Sequence, residues 1–129
     1  MMVAHQKLYL KRTKIYFYQN DLSLKNALKN FKKVDIVVNL ASLTDAESSL
    51  KIKKEIYRNN LDIFENILKY CKKNSSKLIH ISSTSVYGDQ KGLVDETCEE
   101  LRPKSPYAEI KVKEENILKR NNDKINFVS

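Results

Sequence analysis

Short apolar runs alternate along the chain with longer stretches in which apolar residues recur every three or four positions. The short runs predict strands, at Lys14–Tyr18, Val34–Leu40, Lys77–Ser82 and the final INFVS. The longer stretches predict helices, at about Asn20–Lys33, Glu47–Lys72 and Pro106–Arg120. Strands that alternate with helices in this way are typical of an α/β protein with a parallel sheet and right-handed crossovers.

The strand at Val34–Leu40 is nearly continuous in apolar residues, which predicts a strand covered on both faces. In parallel sheets, ligands bind beyond the carboxyl ends of the strands. The residues expected at that edge are Asp21, Ala41, Ser42 and Ser82 to Ser85. Each also has a local interpretation, since Asp21 can form a turn or cap a helix, and the hydroxyls can satisfy nearby backbone groups.

Composition excludes several classes of protein. A chain of 129 residues with 41% hydrophobic and 31% charged residues suits one soluble globular domain. No apolar run approaches the roughly 20 residues that span a bilayer, and the amino terminus lacks the apolar core of a secretory signal. Cys71 and Cys98 have no metal-ligand spacing, so we expect reduced thiols and no metal in a cytoplasmic protein, with one disulfide as the alternative.

The net charge of +8 raises the question of nucleic-acid binding. The lysines are dispersed along the chain, and only four residues are arginines, which read bases better. A solvated, lysine-rich surface explains the charge more simply. We therefore expect neither a nucleic-acid partner nor a membrane partner.

The stretch SPYAEIK places Tyr107 and Lys111 four residues apart. About one Tyr-x-x-x-Lys is expected by chance in this composition, and Tyr87 with Lys91 is a second instance. Ser105 and Pro106 are a helix-start signal, so Tyr107 and Lys111 are predicted to share one face of a helix. An ammonium near a phenol favours the phenolate and lowers the phenol pKa, which suits a general acid/base. The second pair is expected in a loop, without helical register.

Five segments, in order, resemble the extended short-chain dehydrogenase/reductases, specifically the NAD-dependent epimerase/dehydratase family that acts on nucleotide sugars. The segments are IYFYQNDLS, VDIVVNLAS, YRNNLDIFENIL, IHISSTSVYGD and SPYAEIKVKEENIL. The resemblance covers about Ile15 to Ser129 and implies a Rossmann-like fold with NAD or NADP as cofactor and a nucleotide sugar as substrate.

The resemblance also implies roles for residues. Tyr107 would exchange a proton with a sugar hydroxyl while hydride moves, Lys111 would hold the nicotinamide ribose, and Ser83 would position the reacting oxygen. The cofactor-binding residues that it implies are Asp21, Leu22, Ala41, Asn60, Ser82, Tyr107 and Lys111. Homodimers through the helices that carry Asn60 and Tyr107 are a further expectation.

The chain departs from the family at the phosphate-binding turn. Its two glycines, Gly88 and Gly92, exclude a G-x-x-G-x-x-G sequence. We therefore expect residues 1–129 to form a partial NAD(P)-binding domain: a doubly wound parallel sheet that lacks the first strand, the glycine-rich turn and the substrate lobe. The second strand would be absent or survive only as Lys7–Leu10, which predicts either a gap in the sheet or a new pairing.

Two functional hypotheses follow. The first is a piece of an NAD(P)-dependent nucleotide-sugar epimerase similar to UDP-glucose 4-epimerase, with a reductase or dehydratase as the alternative. Thr84 and Ser85 stand where the dehydratase members have Asp-Glu, which argues against dehydration. The second is a non-catalytic remnant or interaction module. In either case we expect the 129-residue chain alone to be inactive and to bind the cofactor weakly or not at all.

Overall fold

The computed structural model describes residues 6–10, 13–44 and 50–129, with side chains for 15–44 and 53–129. The elements are β1 (Gln6–Leu10), β2 (Thr13–Phe17), β3 (Ile36–Asn39), α1 (Leu50–Asn74), β4 (Lys77–His80), a 3-10 helix (Thr84–Tyr87), α2 (Pro106–Lys119) and β5 (Phe127–Val128). Two of the three predicted helices are confirmed; the predicted start of the longer one at Glu47 lies outside the described residues.

Strands β3, β4 and β5 form a parallel sheet in the order β3-β4-β5. Ile36 pairs with Lys77 in the register between β3 and β4, and Leu78 pairs with Phe127 between β4 and β5. A helix connects each pair of consecutive strands, as parallel pairing requires. The predicted α/β class with a parallel sheet is confirmed, and the carboxyl ends of β3 and β4 lie side by side.

Both helices cover the same face of this sheet. Phe64 and Cys71 of α1, Leu118 of α2 and Leu78 of β4 are fully buried in one core. On the opposite face, Ile36 is 55% exposed and Val38 is 53% exposed. The prediction that this strand is covered on both faces is therefore wrong, because α1 and α2 lie on one side and, within the described ranges, no helix lies on the other.

The strand predicted at Lys14–Tyr18 forms, but it does not join the parallel sheet as expected. It corresponds to β2, which pairs antiparallel with β1 from Gln6↔Phe17 to Leu10↔Thr13. Only two residues separate the two strands, a link that allows a hairpin but is far too short for a parallel crossover. The segment Lys7–Leu10 thus survives as a strand with a new partner, one of the two outcomes expected.

The helix predicted at Asn20–Lys33 is replaced by a series of turns. Asn26 has a φ of 65°, which interrupts any helical path, and Leu24 is 60% exposed. A short amphipathic helix needs a packed surface to be stable, and here only Leu22 and Leu28 reach the core. The segment is held instead by polar side chains of α1.

Across the described ranges, we find no helix that is both long enough and apolar enough to cross a membrane. The two cysteines are free, with Cys71 buried and Cys98 half-buried. The expectation of reduced thiols is therefore met in the structure.

Candidate active site

The start of α2 fixes the orientation of the predicted catalytic pair. Ser105 has extended backbone (φ −132°, ψ 153°), and its Oγ accepts a hydrogen bond from the Ala108 N–H at 3.1 Å. Pro106 occupies the first helical position, where its missing N–H costs nothing. The helix therefore begins at the residue that the sequence indicates, and the positions of Tyr107 and Lys111 in the helix follow from it.

Tyr107 and Lys111 share one face of α2, as predicted. The Lys111 Nζ lies 5.7 Å from the centroid of the Tyr107 ring, within the range of a cation–π contact. Lys111 is only 3% exposed, whereas Tyr107 is half-buried. The Lys111 ammonium donates a hydrogen bond to Glu114 Oε2 at 2.9 Å. The lysine is thus a buried, ion-paired group whose charge lies beside the tyrosine ring.

The loop after β4 carries the predicted hydroxyl, Ser83. Its Oγ caps the 3-10 helix, accepting from the Ser85 N–H at 3.2 Å and lying 2.8 Å from Ser85 Oγ. This 3-10 helix packs against α2. The preceding Ser82 donates a hydrogen bond to the Glu115 carboxylate of α2. The structure therefore brings the hydroxyl loop and the helix of the Tyr-Lys pair together, with Ser83 engaged in local hydrogen bonds.

The turn after β3 is held by two asparagines. The Ala41 N–H donates to Asn39 Oδ1 at 3.0 Å. Asn60, 1% exposed on α1, accepts from the Leu43 N–H at 2.8 Å and donates to the Leu43 carbonyl at 2.9 Å. Asn60 thus binds backbone on both sides of one residue and fixes the chain beyond the small residue Ala41.

Asp21 and Leu22 make other contacts. Asp21 is exposed, and its carboxylate accepts hydrogen bonds from the Ser23 N–H and Oγ at 2.9 and 2.6 Å. The Ser23 hydroxyl and then the Ser23 N–H lower the pKa of Asp21. Leu22 is half-buried against the α1 core. The turn-forming interpretation of Asp21 describes its present contacts, while its role toward a cofactor stays a prediction.

The second Tyr-x-x-x-Lys has the wrong electrostatics for a base. Tyr87 ends the 3-10 helix, and Lys91 lies in the exposed loop that follows. Burial, followed by nearby carboxylates of which Glu96 is the strongest, raises the pKa of Tyr87. This shift is opposite to the one that a general base needs.

Gly88 closes the loop after the 3-10 helix. Its φ is 60°, and a Cβ at this position would lie 1.8 Å from the backbone oxygen of Arg102. No side chain fits there. The backbone at position 88 can therefore lie against the backbone of Arg102 only because residue 88 is a glycine.

A cavity of about 520 Å³ lies at the other end of the sheet, beside Ser76 before β4 and Ile125 before β5. Ligands of parallel sheets bind at the carboxyl ends of strands, where the polar groups above converge. We therefore do not assign this cavity to the site.

Sequence reasoning missed four polar residues that shape the site: Asn39, His80, Glu114 and Glu115. All except Glu115 are 3% exposed or less. A usable sign was present in the periodicity, because Lys111 and Glu114 lie on the same face of α2 as Ile110 and Leu118. A lysine and a glutamate three residues apart on an apolar helix face predict a buried ion pair.

A parallel sheet whose crossovers are helices, with a Tyr-Lys pair on one of these helices, is typical of Rossmann-like α/β domains. Residues 3–129 match the family model described as "NAD dependent epimerase/dehydratase family". The chain belongs to this family.

Two curated relatives illustrate the range of activities in the family. The chain is 32% identical over 94 residues to the UDP-D-apiose/UDP-D-xylose synthase of Oryza sativa subsp. japonica, a match covering 72% of this chain and 23% of the relative. It is 27% identical over 124 residues to the dTDP-D-glucose 4,6-dehydratase of Dictyostelium discoideum, covering 84% of this chain and 29% of the relative.

Solved structures that are similar to this chain include two 4-epimerases of UDP-sugars. The UDP-N-acetylglucosamine 4-epimerase from Methanobrevibacter ruminantium M1, in complex with UDP-N-acetylmuramic acid, is 30% identical with a TM-score of 0.73, covering 83% of this chain and 36% of that one. The UDP-glucuronic acid 4-epimerase from Bacillus cereus, in complex with NAD, is 30% identical with a TM-score of 0.65, covering 83% and 33%. The chain therefore spans about a quarter to a third of the length of these proteins.

Proposed function

We propose that this chain carries the catalytic edge of an NAD(P)-dependent nucleotide-sugar epimerase similar to UDP-glucose 4-epimerase. The observation that supports the proposal is the placement of Tyr107 and Lys111 on one face of α2, 5.7 Å from ammonium to ring centroid, against the loop that carries Ser83. In this arrangement a phenol, an ammonium and a hydroxyl lie at one edge of the sheet.

Each residue has a separate task in the proposed reaction. Tyr107 exchanges a proton with the sugar hydroxyl through its phenol oxygen. Lys111 holds positive charge beside that phenol and binds the nicotinamide ribose. Ser83 donates a hydrogen bond to the reacting sugar oxygen and orients it. Either hydroxyl can be the donor in the 2.8 Å contact between Ser83 Oγ and Ser85 Oγ, so Ser83 is able to donate to the sugar while it accepts from Ser85.

The residues fit one half of a nicotinamide dinucleotide better than the other. Ala41 is small, and its N–H is held by Asn39, so a planar ring can approach the turn after β3. Ser82 and Lys111 border the same edge. A bound cofactor would supply the hydride acceptor. The chain offers two glycines, and Gly88 is committed to its contact with Arg102, so the dinucleotide phosphates find no glycine-rich cradle.

The choice of epimerase over dehydratase rests on the 3-10 helix. Elimination of water needs extra acid and base groups beside the catalytic hydroxyl. Here Thr84 and Ser85 follow Ser83, and Ser85 Oγ is hydrogen-bonded back to Ser83. Two hydroxyl residues at this point support simple hydride removal and return.

Binding of NAD and NADP to the 129-residue chain, measured by isothermal titration calorimetry, tests the cofactor half of the proposal. We expect weak binding or none, because phosphate contacts supply much of the affinity for a dinucleotide. A micromolar dissociation constant would overturn this expectation.

Tyr107→Phe tests the catalytic half in the enzymatically active protein. Removing the phenol oxygen should abolish epimerisation of UDP-sugars while leaving cofactor binding nearly unchanged. Tyr87→Phe is the matched control, a tyrosine of the same spacing pattern whose lysine, Lys91, lies in a loop and not on a shared helix face, and should retain activity. Equal activity of Tyr107→Phe and the parent would reject the assigned role.

A homodimer through α1 and α2 stays a prediction, which a measurement of molar mass in solution would test.

A further inference from the structure

A chain of buried polar side chains connects β3, β4 and α2 beneath the proposed site. Asn39, His80 and Glu114 form this connection, which we call the buried relay, and Lys111 lies at its end. Each of these four residues is only 2 to 3% exposed to solvent. Polar groups buried to this extent are costly unless each one is paired, so their mutual arrangement is tightly constrained.

The contacts fix the orientation of the Asn39 amide. Its Oδ1 accepts from the Ala41 N–H at 3.0 Å, so its Nδ2 is the atom facing His80, 3.2 Å from the imidazole Nδ1. An amide nitrogen can only donate. The Nδ1 of His80 must therefore accept, and the proton of the neutral imidazole lies on Nε2.

The Nε2 atom lies near a carboxylate oxygen that also binds the lysine. His80 Nε2 lies 3.1 Å from Glu114 Oε2, and Lys111 Nζ donates to the same oxygen at 2.9 Å. The imidazole contact has the distance of an ion pair, although its alignment falls short of hydrogen-bond geometry. One carboxylate oxygen thus receives the ammonium on one side and the imidazole on the other.

Packing holds the imidazole in this position. The ring of Phe64, fully buried on α1, meets the His80 ring edge-on, with centroids 5.1 Å apart and an interplanar angle of 65°. The charged groups facing His80 are Glu114 and, through it, Lys111. The imidazole therefore has a hydrogen-bond partner at Nδ1, a carboxylate within ion-pair distance of Nε2 and an apolar wall beside it.

We propose that Asn39, His80 and Glu114 are positioning residues that hold the Lys111 ammonium beside Tyr107, with His80 fixed as its Nε2–H tautomer. The inference deepens the proposed function and rests on it for the role of Lys111. Lysine has a long side chain with many rotamers, and the relay restricts it to one. Because Asn39 also binds the Ala41 N–H, the relay joins the turn after β3 to the ammonium, two sides of the proposed nicotinamide position.

The tautomer is tested by long-range ¹H–¹⁵N NMR on the 129-residue chain. The sequence has two histidines, so a His5→Gln variant leaves His80 as the only imidazole. We expect an unprotonated Nδ1 and a protonated Nε2 at neutral pH. A protonated Nδ1, or the averaged spectrum of a free imidazole, would overturn the proposal without any variant of the relay.

Asn39→Asp sharpens this test by replacing a donor with an acceptor. A carboxylate facing Nδ1 requires a donor there, so His80 should gain a proton on Nδ1. An unprotonated Nδ1 in this variant would contradict the assigned contact. A residue that merely filled space would leave the tautomer unchanged, so the readout separates positioning from packing.

The restraint of the Lys111 ammonium is tested by the rate at which its protons exchange with water, measured by NMR. The ¹⁵N signal of this ammonium is the one that disappears in a Lys111→Gln variant. Exposed ammonium protons exchange rapidly with water, whereas those of a buried ion pair exchange slowly. Glu114→Gln should speed exchange about tenfold, since a neutral acceptor binds an ammonium less strongly than a carboxylate. Glu109→Gln removes the same charge from an exposed position of α2 and should have no effect.

If Glu114→Gln does not fold, slow exchange of the Lys111 protons in the parent chain still decides the matter. Rapid exchange there would refute the relay. These outcomes do not depend on cofactor chemistry: a relay with the expected tautomer alongside an active Tyr107→Phe would reject the proposed function, whereas an inactive Tyr107→Phe with a free imidazole at His80 would reject only the relay.

Discussion

Residues of similar apolar character behave differently in two regions of the molecule. In the packed layer, formed by α1, β4 and α2, Phe64 and Leu78 are fully buried. In the outer segments, residues 15–34 and 88–104, Phe17 is 54% exposed and Leu93 is fully exposed. The outer segments contain a strand and several turns but no helix laid against a sheet. In this protein, hydrophobic residues are buried where helices pack against the parallel sheet. A strand that is paired only in a hairpin leaves its side chains exposed.

The largest contrast should come from truncating one phenylalanine in each region. Phe64→Ala removes a fully buried ring that also packs on His80, and should lower the free energy of unfolding by about 3–5 kcal/mol. Phe17→Ala removes a half-exposed ring on β2 and should cost about 0.5 kcal/mol. Urea denaturation followed by circular dichroism measures both. Equal losses would mean that the hairpin is as tightly packed as the helices.

A smaller contrast is expected between the two glycines. Gly88 and Gly92 both have positive φ, so an alanine at either should cost about 1–3 kcal/mol in backbone strain. At Gly88 the new methyl group also meets the Arg102 backbone, whereas nothing lies within 4 Å of Gly92. Gly88→Ala should therefore be the more destabilising by about 1–3 kcal/mol. Thermal unfolding of the two variants compares them, and equal melting temperatures would contradict the close approach.

Thiol reactivity compares the two cysteines, one in each region. Burial raises the pKa of the Cys71 thiol to about 11. At pH 8 its thiolate fraction is then about 0.1%, and it increases about tenfold for each pH unit until the pKa is reached. Iodoacetamide should label the half-buried Cys98 first and Cys71 only slowly, with the Cys71 rate rising with pH. Mass spectrometry of tryptic peptides measures both rates, and faster labelling of Cys71 would place it outside the core.

The smallest effect is expected at the exposed turn of Asp21. Its folded pKa lies below the ordinary value of 3.8 because Ser23 donates to the carboxylate, so the associated stability is present above that value and lost as the pH falls through the folded pKa. Ser23→Ala should return the Asp21 pKa toward 3.8. NMR titration of the side-chain carboxyl carbons measures this, with Asp95, held by Thr97 in the same kind of turn, as the internal control.

The sequence predicted the packed layer better than the outer segments. Pro106–Arg120 was expected as a helix and α2 spans Pro106–Lys119; Lys77–Ser82 was expected as a strand and β4 spans Lys77–His80. These elements have local start signals and strong periodicity, and they pack against each other, so local and global preferences agree. The shared face of Tyr107 and Lys111 followed from the same periodicity.

The rest depended on partners that periodicity does not specify. Leu24, Leu28 and Phe31 mark a helical face between Asn20 and Lys33, yet turns form, because pattern alone cannot provide the surface on which a helix would pack. Pairing of β2 with β1 was fixed by the short link between them. The contact of Asn39 with His80 joins residues 41 positions apart, a separation at which single-sequence patterns carry no information.

The double hydrogen bond of Asn60 to Leu43 has a consequence for cooperativity. The Leu43 amide is protected by a side chain of α1 and not by a strand or a turn of its own. Its hydrogen can exchange with solvent only when the Asn60 side chain withdraws, so its protection should fall in an Asn60→Ala variant. We therefore expect this irregular segment beside the proposed cofactor position to open together with α1.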